Sequence, residues 1–360
     1  MKRYLVILAS ILIVTALLLG GCSSSPSSIT SSSSSITSST QLSTTTTTSG
    51  KVYEFKFTDQ FTAQQTNGAL DELLGKTISD KTNGRVKFTF YHSESLGKMA
   101  DFLTMLNNGV VDAACVTPVS YAKQFDMEAG VELPGLMIPS RTAELELYWQ
   151  LNSKGYFTGL APYKVLAFQA TPPIMMFLNK KIVTLDEIKG LKIRVSSNPM
   201  NMLMKQLGAT PMAVPFTDVY MNMQTGVLDG LITAPEAVMQ AKLYEVTKVA
   251  YTDPLAAGAL YVIMSKKAWD GKPADLQALV DQAIKDYKSA FLASVKPADD
   301  SMAENLSKNG MTVTSLSAAE AAKLKAAAAT IKNDWITAHS SGLPGKEMMD
   351  YIDNFVANYK

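Results

Sequence analysis

Arg194 closes an apolar run, Gly190-Leu191-Lys192-Ile193-Arg194-Val195. A guanidinium presents a planar fork of donors that matches a carboxylate in two-pronged fashion. An arginine at the end of a buried strand needs an anionic partner, because an unpaired charge is costly away from water. That partner is either a bound acid or an Asp or Glu of the chain itself. Other chemistry is sparse. The sequence has no G-x-S-x-G elbow, no Walker loop, no H-E-x-x-H pair and no G-x-G-x-x-G after a strand. The histidines are His92 and His339, and neither has ligand spacing to a cysteine, so no zinc site is expected. His92, in Tyr91-His92-Ser93-Glu94, reads either as a base or as a loop residue at a cleft edge or on the surface. His339 ends an Ala-rich helix, where a cation suits the dipole. The expectation is a protein that is not an enzyme and needs no cofactor and no metal.

The elements that would position Arg194 follow from periodicity. Val52–Thr58 alternates as a strand, and Phe61 to Lys81 carries helical spacing. Asn83-Gly84 is a turn, Val86–Tyr91 a strand, and Ser95 can cap a helix ending at Asn108-Gly109. Val110–Val116 is a third strand. The alternation continues through a helix at Thr142–Asn152, a strand at Val165–Ala170 and a capping box at Thr184 to Glu187. Next come a strand at Leu191–Val195 and a helix at Met200–Leu207 stopped by Gly208. Thr217–Thr225 is helical, Leu231-Ile232 a strand and Pro235–Tyr244 a helix. Leu260–Met264 is a strong strand, Pro273 to Val295 a long helix, and two helices, Ala318–Ala338 and Lys346–Tyr359, end the chain. Strand–helix alternation implies an α/β fold with parallel sheets covered by helices on both faces. About 310 residues after the N-terminal segments suffice for two lobes with a cleft between them at the carboxyl ends of strands. The lobes are expected at 51–171 plus 259–298 and at 172–258 plus 299–360. A formal net charge of +1 points to no nucleic-acid partner.

Cysteine occurs twice. Cys115 lies in an apolar run and reads as a small buried hydrophobe, leaving no internal disulfide. Cys22 follows Leu19-Gly20-Gly21, after Lys2, Arg3 and an apolar run from Tyr4 to Leu19. That run is shorter than the roughly 20 residues a spanning helix needs. The arrangement resembles the lipobox of bacterial lipoproteins. It implies a signal peptide over 1–21 and a diacylated Cys22 as the new N-terminus. Residues 22–50 are almost wholly Ser and Thr after the cysteine, and read as a flexible tether reaching on the order of 30 Å. The folded part is then exported and lipid-anchored at the outer face of the cell membrane, in a periplasmic or extracytoplasmic setting.

One stretch carries a family resemblance. GLKIRVSSNPM (190–200) and LGATPMAVPFTDVYMNMQTGVLDG (207–230) hold a G-L-K-x-R-V strand, an L-G-A-x-P turn and a V-Y-x-x-x-Q-x-G-V-x-D-G motif. Upstream stand TNGRVKFTFY (82–91), SLGKMADFLTMLNNGVVDAA (95–114) and VELPGLM (131–137). The chain resembles the DctP-like solute-binding proteins of tripartite ATP-independent periplasmic (TRAP) transporters over roughly residues 52–300. The resemblance implies a two-lobed, periplasmic-binding-protein-like receptor that closes on an organic acid and hands it to the membrane subunits of a permease. It places Arg194 as the arginine that salt-bridges the ligand carboxylate. Asn198 stands where many relatives carry a side-chain amide. Phe216 stands where an aromatic packs on the ligand, the alternative being ordinary core. Thr233 replaces an amide with a hydroxyl.

Departures from the family pattern narrow the ligand. Some relatives carry a second arginine about 20 residues before the first; here Pro172 to Phe177 is uncharged, and Met175 and Phe177 are expected to form an apolar wall. Relatives often have a histidine where this chain has Thr252-Asp253-Pro254. Gln65 and Asp253 are expected as polar contacts, and with Glu236 they are the oxygens a metal would use if one accompanied the ligand. One cation and an apolar wall suit a monocarboxylate with an apolar or aromatic body better than a C4-dicarboxylate or a sialic acid. The alternatives are a receptor serving a sensor or another importer, and an extracytoplasmic enzyme.

Overall fold

The computed structural model describes residues 50–359. The expected signal peptide, Cys22 and the tether to residue 49 lie outside the described residues. Two sheets organise the remainder. The first has the order β2-β1-β3-β10-β4, and the second β11-β9-β5-β8-β6-β7. Along the chain the first sheet starts with β1 (Tyr53–Thr58), α1 (Thr66–Lys81), β2 (Val86–Tyr91), α2 (Phe102–Asn108), β3 (Ala113–Val116), α3 (Arg141–Ser153) and β4 (Tyr163–Ala170). The second takes β5 (Ile174–Leu178), β6 (Lys192–Arg194), α4 (Asn198–Gln206), β7 (Thr210–Met212), α5 (Val219–Gln224), β8 (Gly230–Thr233), α6 (Pro235–Gln240) and β9 (Val249–Ala256). The chain then returns to the first sheet as β10 (Ala259–Ser265), followed by α7 (Lys266–Trp269) and α8 (Ala274–Lys308). It ends with β11 (Thr312–Thr314), α9 (Ala318–Ala338) and α10 (Gly345–Asn358).

The expected periodicities account for most of these elements. β1 and β2 pair in parallel with Phe55 opposite Phe88 and Phe57 opposite Phe90. The Phe57 and Phe90 rings lie 4.9 Å apart. α1 packs on this aromatic layer through Gly75, where an added Cβ would meet Phe90 at 2.6 Å. Thr184 and Glu187 form the expected capping box, the Thr184 N–H donating to Glu187 Oε1 at 2.9 Å.

The sheets are mixed, not wholly parallel. β10 runs antiparallel to β3 and β4, and β5 antiparallel to β8 and β9. The reason is topological. Strands β1, β3, β6 and β8 finish at the face between the sheets, so a strand arriving from the other sheet starts at that face and runs the opposite way. β5 and β10 are such arrivals. Their approaches, Thr171–Pro173 and Ala257-Gly258, touch: the Thr171 N–H donates to Gly258 O at 3.0 Å, and a Cβ at Gly258 would meet Thr171 Oγ1 at 2.1 Å. α8 makes a third crossing. It continues past the expected end at Val295 and carries Pro297 within it. Met302 and Leu306, beyond the proline, join the core of the second sheet. α9 packs on α4, whereas α10 packs on α3 and α9. We propose that the lobes part at the two strand approaches and within α8, with α9 and α10 spanning both. Cys115 is free and buried in β3. Among the described residues no helix is long and apolar enough to cross a membrane.

Candidate functional site

The strand ends converge on a cleft of about 640 Å³. From the first sheet come Gln60, Phe61 and Gln65 after β1, and Thr117 after β3; from the second come Arg194, Phe216 and Thr233. Arg194 ends β6, paired with Met212 on one side and Leu231 on the other. Its position follows from a three-residue strand whose Ile193 is buried and whose Lys192 faces water. Arg194 is 9% exposed. Its Nε donates to the Val214 carbonyl at 3.1 Å, and the guanidinium stacks 5.5 Å from the Phe216 ring. No carboxylate of the described residues lies within ion-pair distance of it. Burial lowers its pKa from the ordinary arginine value, the signature of a desolvated cation with no offsetting anion. The geometry can therefore accept an acid: a fork held by one backbone carbonyl and one aromatic face, facing an open cleft.

Phe216, 37% exposed, belongs to the cleft wall. Gln65 lines the cleft ahead of α1; its Oε1 accepts from the Thr62 N–H at 2.8 Å, which leaves its Nε2 donors to the cleft. Thr233 lines it at the end of β8.

Four expected positions lie elsewhere. Met175 and Phe177 are two residues apart on β5, so they share one sheet face. That face is covered by α5 and α6, and both side chains sit in a core with Val219, Met223, Leu231 and Val238. Ile174 supplies the apolar contact that they were expected to make. Asn198 is exposed on the first turn of α4, its amide beside the Met202 sulfur at 3.9 Å. Ser197 is the cap, accepting from the Met200 N–H at 3.4 Å, and the helix it starts carries Asn198 away from the cleft. Asp253 is spent internally, its Oδ2 accepting from the Leu316 N–H at 2.8 Å ahead of α9. Without Asp253, the three oxygens set aside for a metal do not meet. Gln65 and Glu236 alone reach the cleft, and the described residues hold no cluster of three or more His, Cys, Asp or Glu fit for a metal ion. His92 lies off the cleft, its Nδ1 2.7 Å from Asp59 Oδ2 and its ring stacked on Phe90.

Sequence reasoning missed Glu132 as a cleft residue. Its Oε2 accepts from the Val119 N–H at 3.1 Å and its Oε1 from the Ala259 N–H at 3.2 Å, tying the β10 approach to the cleft floor. Burial raises its carboxyl to about 7, the two N–H bonds opposing. The signal for it is its place in the VELPGLM loop (131–137), a carboxylate between apolar residues.

Residues 59–337 match the model of bacterial extracellular solute-binding protein, family 7. The C4-dicarboxylate-binding periplasmic protein of Rhodobacter capsulatus is 30% identical over 56% of this chain and 62% of its own length. A TRAP solute-binding protein from an unidentified marine microbe, specific for aromatic acid ligands and solved with metahydroxyphenylacetate, superposes with a TM-score of 0.76. It is 22% identical over 86% of this chain and all of its own, 100%. A TRAP solute-binding protein of Rhodoferax ferrireducens T118, solved with copurified benzoate, gives a TM-score of 0.74 at 21% identity, over 85% of this chain and 98% of its own.

Proposed function

Because the chain belongs to family 7 of the bacterial extracellular solute-binding proteins, we propose that its cleft captures a monocarboxylate with an apolar or aromatic body. By family and fold this is an extracytoplasmic TRAP solute-binding receptor, of a kind that binds small organic ligands and works with a permease. The observation that carries the finer reading is the lone cation. Among the cleft-lining residues Arg194 is the sole cation, and Phe216, Phe61, Ile174, Met200 and Ile232 supply apolar surface around the cleft. One carboxylate satisfies Arg194. A second would lie near Glu132 and Glu236 with no cation of its own, a costly placement. The aromatic acids named for two of the superposed proteins fit this reading. The dicarboxylate of the Rhodobacter capsulatus relative fits it less well. In our reading the receptor is held by a lipid on Cys22 within reach of its permease, where tethering keeps its local concentration high.

The test is a thermal-shift screen with benzoate, phenylacetate, branched 2-oxo acids, succinate and a sialic acid. A ligand that binds only the native state raises the melting temperature; at a hundred times Kd the gain is about 2.7 kcal/mol. Monocarboxylates are expected to stabilise and succinate is not. Stabilisation by succinate with none by any monocarboxylate overturns the ligand class.

A further inference from the structure

Arg141 opens α3. Ser140 caps that helix, its side chain accepting from the Ala143 N–H at 3.2 Å, and this fixes the turn from which Arg141 departs. The Arg141 side chain is almost fully enclosed. Its Nη2 donates to Glu236 Oε1 at 2.5 Å and to Asp299 Oδ1 at 2.9 Å. Both acceptors belong to the other sheet's side. Glu236 stands in the first turn of α6, directly after β8, and lines the cleft. Asp299 follows Pro297 in α8, on the stretch leading to Met302 and Leu306 in the second sheet's core. Glu144, a turn further along α3, is buried, and burial pushes its carboxyl well above the usual range, the Arg141 charge opposing. One guanidinium thus joins the first lobe to α6 of the second and to the part of α8 beyond its crossing, beside the ligand's expected place.

We propose that Arg141 is an interlobe pin: by holding Glu236 and Asp299 together it sets how far the cleft is closed before a ligand arrives, and so acts as a positioning residue for binding. The proposal rests on the reading that the cleft takes a carboxylate anion. A buried charge left without its partner is strongly unfavourable, so the tie holds both lobes. A receptor whose competent form is only part of its population shows an affinity reduced by that fraction. Loosening the pin lowers the fraction.

Glu236 makes the test one of sign. As a plain negative charge on an anion's cleft it repels the ligand, and Glu236→Gln would tighten binding. As half of the pin, its loss weakens binding. Asp299 does not line the cleft, so Asp299→Asn acts through its neighbours Arg141 and Glu236 and not on the ligand directly. The experiment uses the full chain in detergent as wild type, E236Q, D299N and the double variant. Deuterium uptake is read without ligand over residues 65–70, of which Gln65, Thr66 and Asn67 line the cleft from the first sheet's side. Benzoate binding is titrated by calorimetry, and melting curves check the fold. Both single variants are expected to raise uptake at 65–70 and to weaken benzoate by about fivefold or more, the lower end of typical coupling between sites. Wild-type uptake in either folded variant overturns the pin, as does equal or tighter benzoate binding by E236Q. If one variant does not fold, the other decides. If the wild type does not bind benzoate, the benzoate expectation of the ligand reading fails, and the uptake arm still decides the pin.

Discussion

Replacing Arg194 separates a ligand arginine from a structural one. Arg194 is buried, makes one hydrogen bond to the Val214 carbonyl, stacks on Phe216 and has no carboxylate partner among the described residues. A structural arginine of that burial would stabilise the fold through an ion pair, and its loss would cost about 3–5 kcal/mol. Here the ligand-free fold holds an uncompensated, desolvated cation. Arg194→Met, which keeps the apolar stem volume and removes the charge, is expected to leave the ligand-free melting temperature unchanged or raise it. The loss falls on binding. A bound carboxylate stranded in a closed cleft without its guanidinium forfeits about 3–5 kcal/mol, which is roughly two to more than three decades in Kd. Arg194→Lys keeps a charge but loses the fork and the Nε bond to Val214, so it falls between. The assay is calorimetric titration with the tightest monocarboxylate of the screen, alongside thermal melts of each variant. An Arg194→Met protein that melts several degrees lower yet binds with wild-type affinity would refute the reasoning and make Arg194 a core residue.

Two phenylalanines assigned to the site by sequence should now behave oppositely. Phe177→Ala empties a filled core position and should cost about 3–5 kcal/mol of stability, with little change in affinity of the folded fraction, whereas Phe216→Ala should weaken the ligand by about 1–2 kcal/mol and barely move the melting temperature. Glu128 is buried, its Oε1 accepting from the Leu160 N–H at 3.1 Å, and burial raises its carboxyl from 4.5 to about 7. A carboxyl raised in the fold contributes stability that is whole below 4.5 and is lost as pH rises through about 7. At about 1.4 kcal/mol per pH unit this is at most about 3.5 kcal/mol. Glu128→Gln should therefore melt higher than wild type at pH 8 and show a flatter stability profile between pH 5 and 8; an unchanged profile refutes the assignment. Cys22→Ser should move the protein from the membrane fraction to the soluble exported fraction, and membrane retention of this variant would count against a lipid on Cys22.

Much of the fold was legible because its signals are local. The alternation of Val86–Tyr91, the helical spacing of Ala318–Ala338, the Thr184–Glu187 box and the Asn83-Gly84 turn each act within a few residues, and the structure keeps them. Arg194 was legible for the same reason, as a charge among apolar neighbours at a strand end. Other features needed partners distant in sequence. β9 passes through Asp253-Pro254 because it is held on both sides of that pair: β5 and β11 flank Val249–Tyr251, and β5 meets β9 again at Ala256 across a register shift. α8 continues through Pro297, which by itself predicts a stop. Which residue of β5 meets the cleft depended on the strand starting at the face between the sheets: its first residue, Ile174, lines the cleft, whereas Phe177, three residues further in, lies in the core with α5 and α6. The sequence by itself determined the periods, the caps, the family motifs and one cation in need of an anion. Tertiary structure alone decided which charges were already paired. Arg141 found carboxylates 95 and 158 residues away, and Arg194 found no carboxylate among the described residues. A side chain's periodicity is written in its neighbours along the chain, but its electrostatic partner is whatever packing brings within a few ångströms.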